Sequence, residues 1–436
     1  MAGVHLAADA GPCGAIKRGD DRRAWGRLLM LLRWIVAPLA LLGAAAAQAE
    51  GGTLVIVGGG LDPANGEIYG ALLKARPDGA PTIAIIPAAS GESAASARSA
   101  TRALERHGAK PEDFVTIRLA LVDDPATAEV DESGWAGNAY DPAEIAALER
   151  AGAIWFLGGD QARITALLLE KNGSDTPMLA AIRRRLAAGA VVGGTSAGAA
   201  IMSEGMIGQG DSLGALLGGK VGEALELTRG LGFLKGALVD QHFGERARLG
   251  RLAVALTDPA QRQRIGFGID EDTALIVSLG DGRATVAGSG YVTLLDARNA
   301  QRTPGRRIGI AGLTLGLAGA GDSIDLAETA ITPAPARKPT AGREYVERPL
   351  LSGGGMAYGD QSLGNVVGEG LLDNAAATVI EAHSFAGTTG VTYRFAKASA
   401  ARGWWGRDGE GRARYTITGV AFDITPITVA IRKAAD

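Results

Sequence analysis

Ser196 stands in Gly194-Thr195-Ser196-Ala197-Gly198, a G-x-S-x-G pentapeptide. Small residues around a serine let a strand turn sharply into a helix. The turn lifts the hydroxyl above the sheet edge and aims the next amide, that of Ala197, at a developing oxyanion. In a chain with 65 glycines the pentapeptide alone is a weak signal. Its context strengthens it: an apolar run precedes it and a small-residue helix, Ala197 to Met202, is predicted after it. A serine nucleophile needs a base, and the chain has four histidines. His5 falls in the N-terminal leader. His107 precedes Gly108 at a predicted helix end, where a histidine has a structural role, and His383 lies in a β-rich tail. His242 closes the apolar run Leu238-Val239-Asp240-Gln241 and is the base by elimination. If the acid sits between nucleophile and histidine, as in α/β hydrolases, it is Glu204, Asp211, Glu223 or Glu226. Glu204 falls on the helix after the nucleophile, facing away, and spacing alone does not choose among the others. Arg246, Arg248 and Arg251 follow His242 closely. They form either a solvated face or a clamp for carboxylates, which guanidinium forks bind in pairs. Gln161, just past Gly158-Gly159, either binds a substrate amide or caps a helix.

The elements that must hold these residues alternate. Thr53 to Val57, Thr82 to Ile86, Phe114 to Leu121, Ile154 to Leu157 and Val191-Val192 read as strands. Glu67 to Ala75, Ser93 to His107, the stretch opened by Asp141-Pro142, and Leu179 to Ala188 read as helices. Alternation of this kind predicts an α/β fold, a mostly parallel sheet with helices on both faces. Ligands then gather at the carboxyl ends of the strands, where Gly58–Gly60, Gly158-Gly159 and Gly193-Gly194 all fall. Past Arg264 short strands joined by Gly and Asp turns take over. The expected organisation is a catalytic domain over 50–299 and a β-rich module over 300–436, with a Pro-rich linker near 331–343.

Hydrophobic residues make up 47% and charged residues 21%, a globular composition, and the formal net charge of −3 gives no basis for nucleic-acid binding. Arg22, Arg23 and Arg27 precede an apolar run from Leu28 to Ala47 that ends in Ala47-Gln48-Ala49. That pattern predicts a cleaved signal over 1–49, with Met30 as an alternative start. It implies a periplasmic or extracellular protein without a stable membrane anchor. Asp21-Arg22-Arg23 leaves twin-Arg export open beside the general route. The one cysteine, Cys13, lies in the leader. The remainder therefore has no disulfide, no thiolate metal site and no Cys nucleophile. No cofactor or metal is expected, and a homodimer is possible.

Four separated stretches together resemble the cyanophycinases. They are Phe156-Leu-Gly-Gly-Asp-Gln161, Gly194-Thr-Ser-Ala-Gly-Ala199, Asp240-Gln-His-Phe243 with its three arginines, and Gly268-Ile-Asp-Glu-Asp-Thr-Ala274. That family groups with peptidase E among serine peptidases on a class I glutamine-amidotransferase-like α/β fold. The resemblance spans about residues 52–295 and implies hydrolysis of cyanophycin, a poly-aspartate carrying Arg on each β-carboxyl, to β-Asp-Arg dipeptides. Ser196 then matches the nucleophile and His242 the base. Gln161, Asp240, Gln241, Arg246, Arg248 and Arg251 match groove positions. The resemblance places the oxyanion hole at the Ala197 amide with Gly59 or Gly60. The cyanophycinase acid position falls on Gly214, whereas the peptidase E acid position falls on Asp211. Asp211 is therefore the expected acid, with Glu223 in reserve. Two other functions compete: a hydrolase of aspartyl or isoaspartyl peptides, and a non-catalytic binding protein on the same fold.

Overall fold

Five short apolar runs pair in parallel as β1 (Thr53–Val57), β2 (Ile83–Ile86), β3 (Phe114–Thr116), β4 (Ala153–Phe156) and β5 (Val191–Thr195), in spatial order β1-β5-β4-β2-β3. The runs are continuous rather than alternating because both faces are covered. In β1, Leu54 and Ile56 enter one apolar cluster and Val55 and Val57 another. Helices α1 (Gly66–Lys74), α2 (Ser93–Arg106), α3 (Pro142–Glu149), α4 (Gln161–Leu168) and α5 (Pro177–Ala187) alternate with these strands in the chain. Their starts follow local chemistry. The Asp141, Asp160 and Thr176 side chains each accept from an amide of the first turn, and Pro142 and Pro177 fill the first helical positions.

Short helices α6 (Ala197–Ala200) and α7 (Ser212–Leu217) flank the hairpin strand β6 (Gly205–Gln209), whose partner is β7 (Glu226–Arg229). Then come β8 (Ala237–Gln241), α8 (Leu249–Thr257), β9 (Ile265–Ile269), β10 (Thr273–Ser278), β11 (Arg283–Gly288) and β12 (Tyr291–Asp296). The chain continues through β13 (Gln301–Arg302), β14 (Ile310–Gly319), β15 (Ser323–Asp325), β16 (Ala330–Thr332) and β17 (Lys338–Pro339). It ends in β18 (Val379–Ala386), β19 (Thr389–Ala396), β20 (Arg402–Arg407) and β21 (Ala413–Thr428). Strands β10, β11, β15 and β16 extend the parallel block with antiparallel pairs. A second sheet runs β17-β20-β21-β14-β12-β9-β8, and only β8 and β9 in it are parallel. Its core packs α7 and α8 against Tyr393, Phe395 and Phe422, with the two phenylalanine rings stacked at 4.8 Å.

This computed structural model describes residues 51–219, 225–349, 355–356 and 362–430. The expected signal segment, Met30 and Glu223 lie outside them. The α/β class holds, although the sheets are mixed rather than mostly parallel. The strand expected over 114–121 stops at Thr116: the Ile117 amide still donates to the Ile85 carbonyl of β2, but the Leu119 amide turns back to the Ile117 carbonyl, and Leu119 and Ala120 are buried by packing. Sheet pairing runs straight across residue 300, since β14 joins β12 to β21 and β15 joins β11. The proline-rich stretch 331–343 is no linker. It supplies β16 and β17, and between them buried Arg337 pairs with Asp322 at 2.9 Å. Among the described residues no helix is long and apolar enough to cross a membrane.

Candidate active site

Ser196 sits on the turn between β5 and α6 with φ 55° and ψ −110°. A non-glycine residue held there stores on the order of 1–3 kcal/mol of strain. The flanking glycines are required by contact. A Cβ on Gly194 would lie 2.8 Å from the Gly198 backbone, and one on Gly198 would lie 2.5 Å from the Phe156 carbonyl. The pentapeptide is thus a packing constraint that aims Oγ outward. Ser196 Oγ lies 2.7 Å from His242 Nε2. His242 leaves the end of β8, also at positive φ, with its amide donating to the Gly58 carbonyl at 2.6 Å.

The acid against His242 is Glu271, whose Oε1 is 2.5 Å from Nδ1. Strands β8 and β9 run parallel with Gln241 opposite Ile269. The residues that follow them therefore emerge side by side. The three-residue link from β9 to β10 carries Glu271 from the second sheet to the first. Both its neighbours are pinned: Asp270 accepts from the amides of Gly244 and Tyr291, and Asp272 accepts from Asp62 N–H, Asn65 and the Ser289 hydroxyl. The Glu271 amide donates to Glu245. Behind the link, Arg412, just before β21, donates to the Gly288 carbonyl at 3.1 Å, and Arg414 on β21 donates to the Ser289 carbonyl and lies 5.8 Å from the centre of the Tyr291 ring.

Asp211 was the expected acid, and the structure corrects this. Its Oδ1 accepts from Gly214 N–H at 2.8 Å, capping α7. It lines the groove beside Ser196, but the contact to His242 belongs to Glu271. Of the other carboxylates weighed, Glu204 pairs with Lys235 at 2.8 Å and Glu226 is exposed on β7. The histidines set aside have plain partners. His107 stacks on Tyr69 and meets the Pro63 carbonyl, and His383 bonds Thr392.

The groove beside Ser196 encloses about 410 Å³ and is lined by Gln161, Gln241, Arg246, Arg248 and Arg251 among others. Gln161 Nε2 donates to the Gly208 carbonyl at 2.6 Å, tying α4 to β6. Arg248 donates to Gln241, main chain and side chain. Asp240 is buried behind them and grips Arg251 through both oxygens, at 2.9 and 2.5 Å. Burial would raise the Asp240 pKa, but the Arg251 charge overrides it and holds the carboxyl below its ordinary range. Asp240 therefore orients Arg251 and does not itself line the groove. Removing either partner of such a buried pair costs about 3–5 kcal/mol.

Gly59 and Gly60, expected beside the oxyanion, border the base and the acid. A Cβ on Gly59 would lie 2.2 Å from the His242 ring, and one on Gly60 would lie 2.6 Å from Glu271. The glycine that borders the nucleophile is Gly158, whose absent Cβ would lie 3.3 Å from Ser196 Cβ. A second hollow of about 340 Å³, walled by Tyr69, Trp155 and Leu157, opens on the Gly158 side of Ser196. Sequence reasoning gave these three residues no role.

Burial lowers the His242 pKa below its ordinary 6.5. The Glu271 hydrogen bond opposes this, and the nearby Arg246 charge adds to it. The ring is thus neutral at neutral pH and able to accept the Ser196 proton. Activity should rise with pH on an acid limb whose midpoint lies below 6.5. Arg246→Gln removes one of the lowering charges, so the midpoint of kcat/KM against pH should move up. A midpoint that stays put or moves down would show that Arg246 does not act on the base.

Peptidase family S51 matches residues 54–285. A cyanophycinase from Synechococcus elongatus is 35% identical over 254 residues, covering 58% of this chain and 70% of that one. One from Trichormus variabilis is 32% identical over 300 residues, covering 66% of this chain and 90% of its own. The crystal structure of a peptidase from an acI-B1 Actinobacterium aligns at 21% identity with a TM-score of 0.45, covering 63% of this chain and 97% of that one. The chain belongs to peptidase family S51 and is a serine-type peptidase.

Proposed function

We propose that this chain is an exported exopeptidase that hydrolyses cyanophycin to β-Asp-Arg dipeptides through an acyl-enzyme. The observation that carries the reading is the Ser196–His242–Glu271 relay opening on a groove with three arginines and the Asp211 carboxylate. Each unit of that polymer bears a guanidinium and a carboxylate, so a groove with both signs of charge complements it. Ser196 Oγ attacks the scissile backbone carbonyl while His242 Nε2 takes its proton, and Glu271 steadies the imidazolium that forms. The tetrahedral oxyanion is held by the Ala197 N–H, at the first position of α6 where no helical acceptor is available. We place the second donor in the Gly158-Gly159 turn, in place of Gly59 or Gly60. The imidazolium then gives its proton to the leaving amine. Water, deprotonated by His242, releases the acyl group. Export rests on the leader at 1–49, and a periplasmic or extracellular site of action follows from it.

Purified protein incubated with cyanophycin should release β-Asp-Arg. Intact polymer together with cleavage of α- or β-aspartyl dipeptides would replace this substrate with the smaller class. No turnover on either, with no labelling of Ser196 by a serine-directed probe, would favour a binding protein.

A further inference from the structure

A cavity apart from the groove is lined by Tyr291 and by residues after 300. It encloses about 550 Å³, within the size range of small-molecule sites. Trp405 on β20 and Tyr345 line it, 41% and 84% exposed, although large aromatic side chains are ordinarily buried. Tyr415 and Tyr291 line it as well. Residues Gly364–Leu372 form a π-helix, a rare geometry found most often at functional sites. Its wide turn brings Asn365 and Glu369, with Asp373 just after it, to the same cavity.

Asp373 is buried, and it accepts from the Tyr345 amide and the Tyr415 hydroxyl, each at 2.9 Å. Burial and the Asp373 bond both push the Tyr415 phenol up. It therefore stays a donor, and the carboxylate stays in place as a negative floor. Glu369 adds a second carboxylate on the same wall. Lys338 and Arg343 stand exposed at the rim. The cavity thus brings flat aromatic faces, two carboxylates and two cations together, with Lys338 the cross-strand partner of Trp405. A planar cation stacks on aromatic faces while its edge meets a carboxylate in a fork, which suits a guanidinium better than a compact ammonium.

We propose that this cavity is a second, non-catalytic binding site for an arginine unit. The guanidinium lies against Trp405 and Tyr345 with its N–H groups on Glu369 and Asp373, and a carboxylate of the same ligand meets Lys338 and Arg343. The site holds free arginine or an arginine-bearing chain without cleaving it. Its link to turnover of polymer rests on the proposed substrate, but arginine binding itself does not.

The test is calorimetric titration of the full chain carrying Ser196→Ala with L-arginine, and with L-citrulline, which keeps the shape and loses the charge. Arginine should bind saturably and at least about tenfold more tightly than citrulline, the loss expected for a charge-assisted contact. Trp405→Ala and Tyr345→Ala should each weaken arginine binding about tenfold or more. Tyr345 is exposed enough that its loss leaves folding intact. No saturable binding, equal binding of citrulline, or binding that neither substitution changes would overturn the site. In the wild-type background, Tyr345→Ala should slow turnover of insoluble cyanophycin while leaving cleavage of a soluble short substrate unchanged. If arginine binds but cyanophycin is not cleaved, the substrate assignment falls and the site stands. If cyanophycin is cleaved but arginine does not bind, the site falls and the substrate stands.

Discussion

Ser196→Ala is expected to lower kcat on the order of 10⁶-fold, the cost of removing the nucleophile from a working serine relay, in a protein that still folds. The same position allows a second readout. Ser196 is held at φ 55° and ψ −110° by the turn from β5 to α6 and by its hydrogen bond to Val57. Alanine inherits that strain, since any Cβ does. Glycine does not, so Ser196→Gly should be equally inactive yet more stable than Ser196→Ala. The difference is about 1 kcal/mol, reduced somewhat by the extra freedom glycine gives the unfolded chain. Initial rates and thermal melting check the pair. A glycine variant that melts below the alanine variant would show that the elbow is unstrained. The stored energy has a use: it keeps Oγ in one place 2.7 Å from His242 Nε2, so no reorganisation is needed when substrate arrives.

The Ser196–His242 pair was legible in the sequence because each residue sits in a strongly constrained local context. The pentapeptide around Ser196 is fixed by backbone contacts under 3 Å, and such contacts leave glycines at fixed offsets. His242 was reachable because only four histidines exist and three of them have ordinary settings. The parallel block was legible as well, since strands buried on both faces are plain apolar runs. The second sheet was not. Its long antiparallel strands reuse residues before and after 300, so a change in sequence pattern looked like a domain boundary where the ladders in fact continue. The prolines at 335 and 339 flank Arg337, and its pairing with Asp322 cannot be seen in local sequence.

The acid failed for a different reason, which the most informative pair of substitutions exposes. Glu271→Gln keeps shape and one acceptor but removes the charge that steadies imidazolium, and it can leave His242 in the wrong tautomer. The expected loss is on the order of 10⁴-fold in kcat. The Glu271 hydrogen bond and charge both raise the His242 pKa. Their loss should therefore also move the acid limb of the pH profile further down. Asp211→Asn should do neither. Asparagine caps a helix as well as aspartate does, so α7 keeps its start, and only Asp211→Ala should cost stability, by about 1 kcal/mol. Because Asp211 lines the groove, its substitution acts on KM rather than kcat. Steady-state kinetics of the four proteins, wild type included, decide the matter. A kcat loss at Asp211→Asn equal to that at Glu271→Gln would return the acid to Asp211. The physical reason for expecting otherwise is topological. The order nucleophile, acid, histidine belongs to folds in which all three residues leave one sheet. Here Ser196 leaves the first sheet and His242 the second. The crossing that brings a carboxylate to His242 is the link from β9 to β10, which the chain reaches after the histidine. Gly268-Ile-Asp-Glu-Asp-Thr-Ala274 reads accordingly: two aspartates anchor the crossing on either side, and the glutamate between them points at the base.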